Sequence, residues 1–146
     1  MISTDLALAL RDAGLVWRPA SGDRFQLDEP EFEADVFTVS EMTIEPRSYP
    51  TGTILAFNGT TEWALDSVAL EDALWLPRED QLRELLRGAF RSLHRLADTH
   101  VVEIALRRDP RDRPDPGAAE ELHRFEHPQP EDAYALAVLA LLERIA

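Results

Sequence analysis

No cysteine and no lysine occur in this chain of 146 residues, and asparagine occurs once, at Asn58. The first absence excludes disulfides, thiolate zinc sites and cysteine nucleophiles. Without lysine, all fifteen basic residues are arginine, a bias that points to GC-rich coding, as in a high-GC bacterium, and to no particular chemistry. The glycines form neither a G-x-x-x-x-G-K nor a G-x-G-x-x-G phosphate loop, and there is no lysine to serve one. A G-x-S-x-G elbow, an H-E-x-x-H zinc helix and a calcium loop are also missing. The commonest enzyme classes lose support, while a site assembled from scattered residues stays open.

Long apolar runs are missing too. The longest, Ala133 to Leu142, falls far short of the roughly 20 residues that span a bilayer. The opening MISTDLALALRD lacks a basic leader and reads as an amphipathic helix, so the expected location is cytoplasmic, with no membrane partner. The length implies one domain, 1–146, burying roughly two-thirds of its unfolded surface. A formal net charge of -13 repels nucleic-acid backbone and anionic lipid. It suits solubility, a basic partner or a cation site.

What is present alternates between the two periods. Ser3 or Thr4 caps a first helix that stops at Gly14, after which Leu15, Val16 and Trp17 enter the core. Short β-branched or alternating runs follow at 24–27, 36–39, 42–44 and 53–57, bounded by turn residues. The segment 66–74 reads as a short helix, and 78–90 as a longer one with Leu82, Leu85, Leu86, Ala89 and Phe90 on one face. THVVEIALR, from Thr99 to Arg107, is the best strand. DPRDRPDPG then makes a loop, 121–126 returns as a strand, and 131–145 is the final helix, with Pro130 near its first turn. The fold class expected is α+β: one antiparallel sheet of about four to six strands, with about three helices mainly on one face. Strands 53–57 and 99–107 should be neighbours or near neighbours in it.

Chemistry has few places to gather. His123 and His127 share a strand face and, with His94 or His100, could begin a metal site; no carboxylate sits at a recognisable spacing, so no metal or cofactor is expected. Carboxylates cluster at Asp28, Glu29, Glu31, Glu33 and Asp35, and at Glu62, Asp66, Glu71 and Asp72, as solvated charge runs do. Arg83, Arg87, Arg91 and Arg95 recur every fourth residue, with Glu79 one turn before Arg83 to pair with it. Internal pairing with the Asp28–Asp35 run is favoured for them over docking of an acidic partner. The sequon-like Asn58-Gly59-Thr60 reads as a turn. Beside it stand Thr61, Trp63 and Trp75, with Arg78 opening a helix whose free N–H groups favour an anion. Glu79 and Asp80 compete for that helix end.

LRDAGLVWRPASGDRF, FNGTTEWALDSV and LWLPREDQLRELL together resemble an uncharacterised family of small actinobacterial proteins, over about residues 5 to 95. Some members carry a pilus-assembly label borrowed from a family built on a nucleotide-binding ATPase domain. That domain needs a Walker motif and more length than this chain has. The resemblance implies that Asn58–Trp63 and Trp75–Gln81 are hallmarks of the family, and assigns no residue a role.

The leading functional reading is a non-catalytic binding module for a protein or small molecule, using Asn58, Thr60, Thr61, Trp63, Trp75 and Arg78. Its alternatives are a small hydrolase or metal-dependent enzyme using carboxylates of 62–80 with a histidine, and an antitoxin-like or immunity-like acidic inhibitor. Trp63 and Trp75 are expected in one cluster, with an indole edge reaching solvent or a backbone acceptor. The last helix carries two apolar stripes, Tyr134, Val138, Leu141 and Ile145 against Leu136, Leu139 and Ala140. Burial within a monomer is favoured over a homodimer through helix 131–145.

Overall fold

A computed structural model describes residues 1–28, 35–40, 44–57, 67–107 and 120–145. They form helices α1 (Thr4–Asp12), α2 (Glu79–Leu86) and α3 (Pro130–Ile145). The strands are β1 (Arg24–Leu27), β2 (Phe37–Thr38), β3 (Ile44–Tyr49), β4 (Gly52–Phe57), β5 (Ser67–Ala69), β6 (Ala73–Leu76), β7 (Phe90–Leu96), β8 (Thr99–Arg107) and β9 (Glu120–His127). The class is α+β, and each strand pairing is antiparallel. The single sheet of four to six strands is not what forms. Three sheets of three strands arise instead, ordered β2-β1-β6, β3-β4-β5 and β7-β8-β9. Strands 53–57 and 99–107 consequently lie in different sheets, so the expected neighbourhood fails.

The chain divides into two compact units, Val16–Pro77 and Met1–Leu15 with Arg78–Ala146. In the first unit, register puts Phe37, Phe25 and Trp75 side by side across β2, β1 and β6. Trp17 caps that row, its ring stacked on Trp75 at 6.4 Å and tilted against Phe25 at 5.5 Å. Cross-strand aromatic pairs of this kind stabilise a sheet by more than the area they bury. Ile44, Leu55 and Val68 of the second sheet share one cluster with Trp17, Phe25 and Leu27. Pro46 lies in β3, which is an edge strand and needs no N–H on its outer side. Val16, expected to enter the core, is 72% exposed.

In the second unit, α3 packs on β8 and β9 while α1 and α2 pack on α3. Ser3 caps α1 by accepting the Leu6 N–H, and Gly14 ends it at a φ of 104°. The Ser3 N–H donates to the buried Asp132 at 2.8 Å, tying α1 to the first turn of α3. Val102 and Ile104 of β8 are fully buried. They face the helical side, because Ile104 pairs with Phe90 and Phe90 stacks on Tyr134 of α3. Among the described residues, no helix is long and apolar enough to cross a membrane.

Candidate functional site

Pro77 forbids helix at the residue before it, and α2 starts two residues later. Its N-cap, Arg78, donates its N–H to the Gln81 side chain at 3.0 Å, and its guanidinium Nε bonds Asp80 at 3.2 Å. Leu82 and Leu86 are buried beneath the helix, Glu79 is half-buried at its start, and Asp80, Arg83, Glu84 and the following Arg87 are exposed. The chain then turns sharply. Arg87 takes a φ of 49° and ψ of -129°, a short 3-10 turn follows, and β7 begins at Phe90. The helix expected over 78–90 therefore ends at Leu86. Phe90, placed on its apolar face by periodicity, becomes the first residue of a strand.

That turn makes an open groove enclosing about 860 Å³, lined by Glu79, Asp80, Arg83, Glu84, Arg87, Phe90 and Tyr134. The Phe90 and Tyr134 rings lie 5.9 Å apart, inclined by 28°. The Arg83 guanidinium carbon sits 4.4 Å above the Phe90 ring centre, within the range of a cation–π contact. The expected Glu79–Arg83 pair does not form: Arg83 turns to the aromatic shelf, and neither it nor Arg87 makes an ion pair among the described residues. Burial, and next the Glu79 carboxylate, raise the Tyr134 phenol above its ordinary value, with Arg83 partly opposing them. The result is an aromatic floor with charges of both signs on its rim, and no histidine in its lining. Such a surface can seat an apolar or planar group and read the charge beside it.

Of the residues singled out in the sequence, Asn58, Thr60, Thr61 and Trp63 lie outside the described residues, and the Trp63–Trp75 cluster with them. Arg78 braces Asp80 at the groove rim. Trp75 belongs to the other unit, where it is half-buried against Trp17; its Nε1 is enclosed and has no hydrogen-bond partner among the described residues. The arginine series does not run along one helix, since Arg91 and Arg95 are on β7. Arg91 pairs with both carboxylate oxygens of Glu120, at 3.0 and 3.2 Å; the Asp28–Asp35 run expected to pair with these arginines lies mostly outside the described residues.

His123 and His127 do share a face of β9, and His100 pairs in register with His127. His100 and His127 are otherwise occupied, while the His123 Nε2 is enclosed without a hydrogen-bond partner among the described residues, 3.8 Å from Glu121. The His100 Nδ1 contacts the Pro128 carbonyl at 2.9 Å, and the His127 Nδ1 accepts the Gln129 N–H at 3.1 Å. Among the described residues, no three histidine or carboxylate side chains converge as a metal site would need. Phe90 and Tyr134 could not be recognised as partners from sequence, because their meeting depends on where α2 stops. The signal available was Gly88, directly after the strained Arg87. No family model, curated protein or solved structure matches the chain.

Proposed function

We propose that this chain is a non-catalytic binding module whose recognition surface is the groove over Phe90 and Tyr134, and that it receives a side chain from a partner protein. One observation carries the reading: Arg83 lies on an aromatic ring and makes no ion pair among the described residues, in a chain whose carboxylates outnumber its arginines 28 to 15. A guanidinium placed flat on a ring retains its outward N–H groups for a ligand carboxylate, while the ring edge offers apolar area. The proposed molecule is a cytoplasmic monomer related to the small actinobacterial family it resembles, with Asn58, Thr60, Thr61, Trp63 and Trp75 as sequence candidates outside this groove. Selection from a random peptide library against the full chain tests it. Recovered sequences should share an apolar anchor next to an acidic residue and lose about tenfold in affinity with Arg83→Glu. Recovery of no common pattern, or indifference to Arg83→Glu, refutes the groove.

A further inference from the structure

Sheet edges offer rows of backbone N–H and C=O groups to any extended chain that can reach them, and proteins blunt them with proline, charge or brevity. Most edges described here are blunted in this way. β2 has two residues, β5 three and β6 four, while β3 contains Pro46. Among the described strands, two long edges remain, β9 and β7. β9 carries Glu120, Glu121 and Glu126 with a single arginine, Arg124. β7, FRSLHRL, carries Arg91, His94 and Arg95 and no carboxylate. It contains neither proline nor glycine, its ladder with β8 is regular from Ser92 to Leu96, and it is exposed at every residue except Phe90 and Ser92. Its one irregularity, a bulge at Arg91, lies at the end next to the groove. Arg95 makes no ion pair among the described residues.

From this we infer that β7 is a docking edge, on which an acidic, extended segment of a partner protein adds as a fourth strand to the β7-β8-β9 sheet. The inference rests on the proposed binding role and extends it: a chain paired along β7 would continue past Phe90 and deliver a side chain to the groove. Main-chain hydrogen bonds would supply affinity in this mode, and side chains the choice of partner. Arg95 and His94 favour carboxylates on the incoming strand, whereas the glutamates of β9 repel them from the sheet's other edge. A second copy's β9 fits less well, because two of its three glutamates are engaged. Glu120 is held by Arg91, and Glu121 lies within 4.0 Å of both His123 and Arg144.

The test uses the full chain, labelled for amide NMR, and an acetylated, amidated peptide of alternating glutamate and valine that matches the seven residues of β7. Expected are shifts concentrated in Phe90–Leu96, none with a lysine–valine peptide, and loss of binding when alternate peptide nitrogens on one edge are methylated. Arg95→Glu should weaken binding by about tenfold or more, with the circular dichroism spectrum unchanged. Silence up to roughly 1 mM peptide overturns the inference, as does full binding by the methylated peptide. Loss with Arg83→Glu but not with Arg95→Glu also overturns it, and leaves the groove as the site. Shifts along β7 that persist in Arg83→Glu retain the docking edge and discard the groove. Self-association of the chain that a peptide of sequence EELHRFEH reverses would identify a second copy as the occupant, and overturn the assignment of β7 to a partner protein.

Discussion

Asp23 is 3% exposed in a unit built round aromatic rings, and two donors converge on its Oδ2: the Trp17 indole N–H at 3.0 Å and the Ala20 N–H at 3.0 Å. Removing the carboxylate strands both donors, so Asp23→Ala should cost about 2–3 kcal/mol, and Asp23→Asn, which retains an acceptor, clearly less. Urea unfolding followed by tryptophan fluorescence measures the difference; equal losses would show that the charge, not the acceptor, matters. Tyr134 gives a pH prediction. Its phenol is raised in the folded chain by burial and then by Glu79, so above the ordinary value of 10.0 the unfolded chain ionises first. The folded state then holds the extra proton, and stability falls as pH rises from about 10 through the folded value. With no lysine, few other side chains titrate in that range. Tyr134→Phe should flatten the alkaline fall in the urea midpoint, and an unchanged fall would place its cause elsewhere.

At the scale of elements, the backbone at Arg87 and Ala97 is the informative feature. Both take a left-handed φ, 49° and 50°, which side chains other than glycine adopt at a cost. Arg87 ends α2, and Ala97 opens the two-residue turn between β7 and β8. Arg87→Gly and Ala97→Gly should each stabilise the chain by about 1 kcal/mol. Their effects on binding should part: Arg87→Gly removes a groove guanidinium and weakens the peptides selected in the library, whereas Ala97→Gly leaves them unaffected. If both variants bind alike, Arg87 is strained for a reason unconnected with recognition. Periodicity extends the expected α2 to Phe90 because Ala89 and Phe90 continue the leucine face, and 66–74 reads as a short helix behind an Asp66 cap. Tertiary pairing won in the second case: Leu55 faces Val68, and Leu27 faces Ala73. Partners distant in sequence override local preference in this way.

On the scale of the whole molecule, α3 decides what its two apolar stripes mean. Ala133, Tyr134, Ala135, Ala137 and Val138 are buried, and the helix touches β8, β9, α1 and α2. That agrees with a helix held between a sheet and other helices. Leu139 is half-buried and Ile145 is 76% exposed, so the later turns emerge from that packing. Leu139→Glu should accordingly cost little stability and leave a monomer in sedimentation at micromolar concentration. A dimer of the parent chain, dissociated by that change with the circular dichroism spectrum intact, would assign the second stripe to a subunit contact.

Local signals were enough for α1 with its Ser3 cap and Gly14 stop, for β1, β4, β8, β9 and α3, and for the α+β class, because caps, turns and periods act within a few residues. The arginines and carboxylates of the groove rim were visible too, as types at known positions. Tertiary structure alone decided that the strands divide into three sheets, that residues 67–76 are strands joined by a 3-10 turn, and that β7 follows α2 after a single 3-10 turn. It also decided that Arg83 leaves Glu79 for Phe90, and that Phe90 meets Tyr134 across 44 residues of chain. The physical reason is common to these cases. Each depends on a partner far away in sequence, and the free energy of that contact exceeds the few tenths of a kcal/mol by which local propensity separates helix from strand.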